Sequence, residues 1–86
     1  MTDQEIFLVT GGMGCIGAWT LTHLVKQERR VIGFDISTQR QRLDLLLTKE
    51  EQRAITFVQG DITNFSQILD VFETHNITHV IHLAAL

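Results

Sequence analysis

Four glycines fall within seven residues, at Gly11, Gly12, Gly14 and Gly17, directly after the apolar run Ile6-Phe7-Leu8-Val9. Taken as Gly11, Gly14 and Gly17 the spacing is G-x-x-G-x-x-G. Taken as Gly12, Gly14 and Gly17 it is G-x-G-x-x-G. Both readings point to the same chemistry. An early glycine permits a tight turn, Gly14 lets the backbone approach a pyrophosphate, and Gly17 lets a helix sit close on a strand. The pyrophosphate then meets free N–H groups at a positive helix end. Asp35 closes the next apolar run, about 20 residues past the turn, where a carboxylate can accept hydrogen bonds from an adenosine ribose. The plainer reading of Asp35 is a turn or cap residue in Asp35-Ile36-Ser37-Thr38. A carboxylate there also repels a 2′-phosphate, which favours NAD over NADP. Arg40 and Arg42 weaken that preference if either reaches a phosphate. Otherwise they line the solvated face of a helix.

Other constellations carry less. His75, His79 and His82 have the spacing of metal ligands only if the whole stretch is helical, and Val80-Ile81 reads as strand. They are expected to be ordinary surface and strand histidines. Cys15, near a helix start, reads either as a thiol of lowered pKa or as a small apolar filler. Trp19 reads as packing or surface.

The elements that hold these groups alternate regularly. Strands are expected at Ile6–Val9, Val31–Phe34, Ile55–Val58 and Val80–Leu83. Helices are expected from Cys15 to Glu28, from Thr38 to Gln52, and after a cap at Asp61 or Thr63. In that third helix Phe65, Ile68, Leu69 and Phe72 fall at i, i+3, i+4 and i+7, which predicts one buried face. The cluster Leu43, Leu45, Leu46 and Leu47 reads as core. The order β-α-β-α-β-α-β, with continuous apolar strands, implies an α/β fold with a parallel sheet covered on both faces. Right-handed crossovers favour a doubly wound, Rossmann-like layout with strand order 3-2-1-4.

Composition sets the outer bounds. Eighty-six residues make one small domain, residues 1–86, and 44% apolar content suits a packed core rather than disorder. A chain this short buries only about 60–65% of its unfolded surface, so the core is marginal. The net charge of −3 gives no support for nucleic-acid binding. No apolar run approaches the roughly 18–20 residues of a membrane span. The acidic start Met1-Thr2-Asp3-Gln4-Glu5 lacks the basic region of a signal peptide. A single cysteine excludes an internal disulfide and fits a reducing cytoplasm.

Together, Thr10-Gly11-Gly12-Met13-Gly14-Cys15-Ile16-Gly17, the terminal Asp35, Gly60-Asp61-Ile62-Thr63 and His82-Leu83-Ala84-Ala85 resemble the N-terminal half of the NAD-dependent epimerases/dehydratases, the extended short-chain dehydrogenases/reductases. The resemblance runs along essentially the whole chain. It implies that Gly11, Gly14 and Gly17, with Cys15 and Ile16 between them, surround the pyrophosphate. It implies that Asp35 binds the adenosine ribose and that Asp61 and Ile62 meet the adenine. Leu83, Ala84 and Ala85 would pass along the cofactor. Cys15 departs from the aromatic residue usual at its position, and Trp19 from a smaller or polar one. The family's catalytic Tyr-x-x-x-Lys pair is absent, since the chain contains no tyrosine. The expectation is therefore the NAD-binding half of a nucleotide-sugar oxidoreductase, ending after its fourth strand, without a substrate domain and without catalysis of its own. A missing C-terminal half, or self-association through the fourth strand, would complete it. A stand-alone nucleotide-binding or interaction module is the alternative. An S-adenosylmethionine site fits the first turn and Asp35, but fits Gly60–Thr63 and His82–Ala85 poorly.

Overall fold

The apolar run before the glycines forms strand β1 (Ile6–Thr10), and the turn delivers the chain into helix α1 (Cys15–Lys26). The computed structural model describes residues 5–84. Helix α1 stops at Gln27 because Glu28 takes a left-handed backbone conformation, φ 60°. The Glu28 N–H then bonds to the Val25 carbonyl and the Arg29 N–H to the Leu24 carbonyl, so the helix closes in a Schellman motif. Strand β2 (Arg30–Asp35) follows at once.

The single helix expected from Thr38 to Gln52 is two short ones, α2 (Gln41–Leu46) and α3 (Lys49–Gln52). Thr48 causes the break. Its hydroxyl accepts the Glu51 N–H at 3.0 Å while the Glu51 carboxylate accepts the Thr48 N–H at 2.9 Å. This reciprocal capping box starts a new helix where the old one would have continued. Strand β3 (Ile55–Gln59), helix α4 (Phe65–Thr74) and strand β4 (His79–His82) complete the chain.

The four strands are parallel and lie in the order β3-β2-β1-β4. This is the Rossmann-like, doubly wound layout expected from the sequence. Two cores sandwich the sheet. On one side Ala18, Leu21 and Leu24 of α1, with Leu43 and Leu47, pack on Val9, Val31 and Ile55. On the other, Val71 of α4 packs on Leu8, Ile32 and Phe34, with Ile68 partly buried beside them. Leu8, Val9, Leu21, Phe34 and Leu43 have essentially no exposed surface. Each contributes on the order of 1.5–3 kcal/mol by leaving water.

Two local expectations are corrected. Helix α4 is capped by Asn64, whose side chain accepts the Gln67 N–H, and not by Asp61 or Thr63. Asp61 is occupied earlier, accepting both the N–H and the hydroxyl of Thr63. The predicted apolar face of α4 is also only half covered. Phe65, Leu69 and Phe72 are exposed, while Val71, one step round the helix, is the buried residue. The four-stranded sheet reaches under one flank of the helix only. Likewise Leu45 points to solvent, whereas Leu43 and Leu47 fill the core.

Candidate functional site

Parallel strands bring all their carboxyl ends to one edge. The chain winds from β1 outward through β2 to β3, then crosses to β4 on the other side of β1. The crevice at such a switch point is where open α/β sheets bind ligands. The glycine turn sits there.

Its geometry follows from its bonds. Gly11 has φ +76°, a conformation that strains any residue with a side chain. Its N–H bonds to the Phe34 carbonyl at 2.8 Å, which pins the turn to the end of β2. A Cβ on Gly11 would lie 2.9 Å from the Ala84 nitrogen, so the turn also abuts the segment after β4. A Cβ on Gly17 would press into Gly11 and Gly12, at 2.8 Å from the Gly11 carbonyl carbon. Gly14 differs. Its added Cβ would meet only the Gly11 oxygen, at an ordinary 3.4 Å, and otherwise open space. Gly14 is also the N-cap of α1 and offers no side chain to bond there. The first helical bond runs from Ala18 N–H to the Gly14 carbonyl, leaving the Cys15, Ile16 and Gly17 N–H groups without a backbone acceptor among the described residues.

Asp35 crosses from β2 to this turn. One carboxylate oxygen accepts the Met13 N–H and the other the Ser37 N–H, each at 2.9 Å. The turn role weighed for Asp35 is therefore real, and it coexists with a place on the cleft. Each oxygen keeps a further lone pair for a ligand hydroxyl.

A cleft of about 490 Å³ is lined by Gly11, Gly14, Asp35, Asp61, Ile62, Leu83 and Ala84, together with Phe34, Ile36, Gly60 and Thr63. Seven of the residues singled out in the sequence thus converge on one space. Cys15 and Ile16 do not line it. Their side chains are exposed, and only their backbones face the helix start. The thiol is no core filler either. Gly17 lies beneath the turn rather than on its open side. Ala85 falls outside the described residues. Phe34 and Ile36 were not anticipated, and Gly60 and Thr63 stood in the Gly60–Thr63 motif without an assigned role. Gly60 is constrained by the fold, since a Cβ there would lie 2.7 Å from the Phe34 ring.

The charges around the cleft are organised. The Thr63 hydroxyl and N–H hold the Asp61 carboxyl below its ordinary range. Arg40 lies 3.7 Å above the Phe57 ring, and Arg42 reaches the Met13 carbonyl at 3.3 Å. Both arginines are exposed, as expected of a solvated face, and each also makes a contact, Arg40 a cation–π one and Arg42 one to the turn. The histidines separate: His79 stacks on Phe7, and His82 bonds to Thr10. Among the described residues no helix is long and apolar enough to cross a membrane.

The model of the GDP-mannose 4,6 dehydratase family matches residues 8–86. The chain belongs to that family. It corresponds to the N-terminal, Rossmann-like portion of the NAD-dependent epimerases/dehydratases. It is 36% identical over 87 residues to the bifunctional protein GAL10 of Candida maltosa, covering 98% of this chain and 56% of that protein. It is 38% identical over 86 residues to the UDP-glucuronate 4-epimerase of Thermodesulfobacterium geofontis, covering 92% of this chain and 26% of that enzyme. Among solved structures, the UDP-glucose 4-epimerase of Bifidobacterium longum in complex with NAD+ and UDP superposes with a TM-score of 0.78 at 27% identity, over 95% of this chain and 25% of that one. The chain thus spans about half the length of the first relative and about a quarter of the other two.

Proposed function

We propose that residues 1–86 form the adenosine-diphosphate-binding part of an NAD site belonging to a nucleotide-sugar epimerase or dehydratase. The observation that carries this reading is the convergence of the Gly14 opening and the Asp35 carboxylate on one cleft, with Gly14 the N-cap of the helix whose first N–H groups are free. A dinucleotide fits that donor set. The Cys15, Ile16 and Gly17 N–H groups would meet the pyrophosphate, Asp35 the ribose hydroxyls, Asp61 and Ile62 the adenine, and Leu83, Ala84 and Ala85 the length of the cofactor. NAD when bound supplies hydride transfer. This chain's own residues supply binding and orientation only. It has no tyrosine to serve in a Tyr-x-x-x-Lys pair, so it binds without turning substrate over. Asp35 makes NAD the preferred dinucleotide over NADP.

The reading extends to a partner. Helix α4 exposes Phe65, Leu69 and Phe72, β4 exposes Val80, and Leu83 just after it is exposed too. Among the described residues β4 pairs with β1 alone. Apolar edges of this kind recruit further strands. A C-terminal half of the same polypeptide is the natural cover, and without it copies of the chain associate through this edge.

Calorimetric titration of the 86-residue chain with NAD+ and ADP-ribose tests the site. Comparable heats with both ligands are expected, and no binding of either would refute the reading. Sedimentation at micromolar concentration tests the edge, where a clean monomer would refute association.

A further inference from the structure

The sequence reading left His82 as an ordinary strand residue, but its surroundings give it a task. The Thr10 hydroxyl is buried, and three polar groups converge on its oxygen. The Leu83 N–H reaches it at 3.0 Å and the Ala84 N–H at 3.3 Å. His82 Nδ1 lies 2.7 Å away. A hydroxyl oxygen has two lone pairs and one proton. The Ala84 amide fills one lone pair and the Leu83 amide shares itself between the other and the Thr10 carbonyl, which it reaches at 3.1 Å, so the hydroxyl proton goes to His82 Nδ1, its one remaining partner among the described residues. Were Nδ1 protonated, it would donate to the same oxygen as the amides, and the hydroxyl proton would have no acceptor among the described residues. Counting donors and acceptors in this way assigns a tautomer that coordinates alone do not show.

We propose that His82 is a positioning residue for the cleft. As the neutral Nε2–H tautomer it takes the Thr10 hydroxyl proton and leaves both lone pairs to the Leu83 and Ala84 amides. The segment held this way is the one that abuts the glycine turn. A Cβ on Gly11 would come within 3.1 Å of both the Ala84 Cα and the Leu83 carbonyl carbon, so the two backbones are already in contact. Leu83 and Ala84 also line the cleft. The His82–Thr10 pair therefore fixes one wall of the cleft relative to the turn that forms its floor. Its effect on cofactor affinity rests on the NAD-binding reading above, whereas its effect on the backbone does not.

The test separates the two. Nitrogen-15 NMR of the 86-residue chain at about pH 8.5, where histidine rings in general are neutral, should show His82 as the Nε2–H tautomer. His82→Leu removes the acceptor. It should speed amide exchange at Ala84, since the Leu83 N–H keeps the Thr10 carbonyl, and weaken NAD+ binding by up to about tenfold, the bound set by one lost hydrogen bond. His82→Asn, whose Oδ1 can accept the same proton, should restore both to within about threefold on the same scale. An Nδ1–H tautomer, unchanged exchange in His82→Leu, or equal losses in the leucine and asparagine variants would overturn the proposal. Faster exchange with unchanged NAD+ affinity would overturn the positioning role. Absence of NAD+ binding to the unsubstituted chain would sink the NAD reading alone, with tautomer and exchange still deciding the latch. If His82→Leu fails to fold, the tautomer and the asparagine variant decide.

Discussion

Gly14 and Gly17 stand three residues apart in one motif, yet the structure gives them opposite tasks, and alanine at each should separate fold from binding. At Gly17 the added Cβ would stand 2.8 Å from the Gly11 carbonyl carbon and 2.9 Å from the Gly12 Cα, both backbone atoms. Those contacts lie about 0.5–0.6 Å inside the 3.4 Å at which ordinary contact begins, and the Gly11 carbonyl oxygen stands closer still. No side-chain rotamer can relieve it, so the start of α1 must move off the turn. Overpacking of this kind costs about 1–3 kcal/mol, and with backbone as the obstacle the upper end applies. For a domain of this size about 3 kcal/mol corresponds to a fall in Tm on the order of 15 °C. At Gly14 the backbone has φ −75° and ψ 176°, which alanine adopts freely, and its Cβ enters open space. A smaller unfolded-state entropy offsets the poorer N-cap, so stability should stay within about 1 kcal/mol of the parent. Binding should not survive, because the methyl stands where a pyrophosphate must approach. Thermal unfolding by far-ultraviolet circular dichroism, paired with NAD+ titration, reads both effects. A Gly17→Ala variant melting with the parent, or a Gly14→Ala variant binding NAD+ with parental affinity, would refute the division of labour.

Three further outcomes follow from particular bonds. Asp35→Ala should narrow the preference for NAD+ over NADP+ measured by parallel titration, and tighter NADP+ than NAD+ binding by the parent would contradict the repulsion argument. Because Asp35 also holds the Met13 and Ser37 amides, the same variant should lose stability even without ligand. Glu28→Gly should raise stability by about 0.5–1 kcal/mol in chemical denaturation, since it places glycine in a left-handed position now held by a side chain. The carboxyls of Glu51, held low by Lys26 and Thr48, and of Asp61, held low by Thr63, contribute stability present above their ordinary values of 4.5 and 3.8. That contribution is lost as pH falls through their lower folded values. Acid titration of the melting temperature should therefore show a decline beginning below these values, and Thr63→Val should reduce the part due to Asp61.

How far the sequence can be read depends on whether a residue answers to local or to distant partners. The glycine turn, Asp35 and the strand order were legible because each follows from a local rule: backbone freedom at a turn, a carboxylate at a strand end, right-handed crossovers. The break between α2 and α3 was local too, but its signal, Thr48 followed by Glu51 at the N3 position, was overridden by the run of good helix formers around it. The placement of Phe34 on the cleft was not legible, since it depends on how β2 and the β3–α4 connection meet across the sheet.

The half-covered face of α4 is the case where a local rule succeeded and still misled. Helical spacing places Phe65, Ile68, Leu69 and Phe72 on one side of the helix, and they are on one side. Burial also needs an opposing surface, and periodicity says nothing about how wide that surface is. Helix α4 crosses from β3 to β4, and the sheet it covers ends at β4. Val71 and Ile68 find Leu8, Ile32 and Phe34 beneath them, while Phe65, Leu69 and Phe72 stay exposed, as does Val80 of β4. Fully covering a large apolar side chain is worth on the order of 1.5–3 kcal/mol. Three such side chains left half covered represent several kcal/mol, comparable with the whole stability of a small domain. A helix with this pattern is suited to a sheet wider than four strands. The amphipathic period of α4 and the edge position of β4 thus both leave apolar surface uncovered among the described residues.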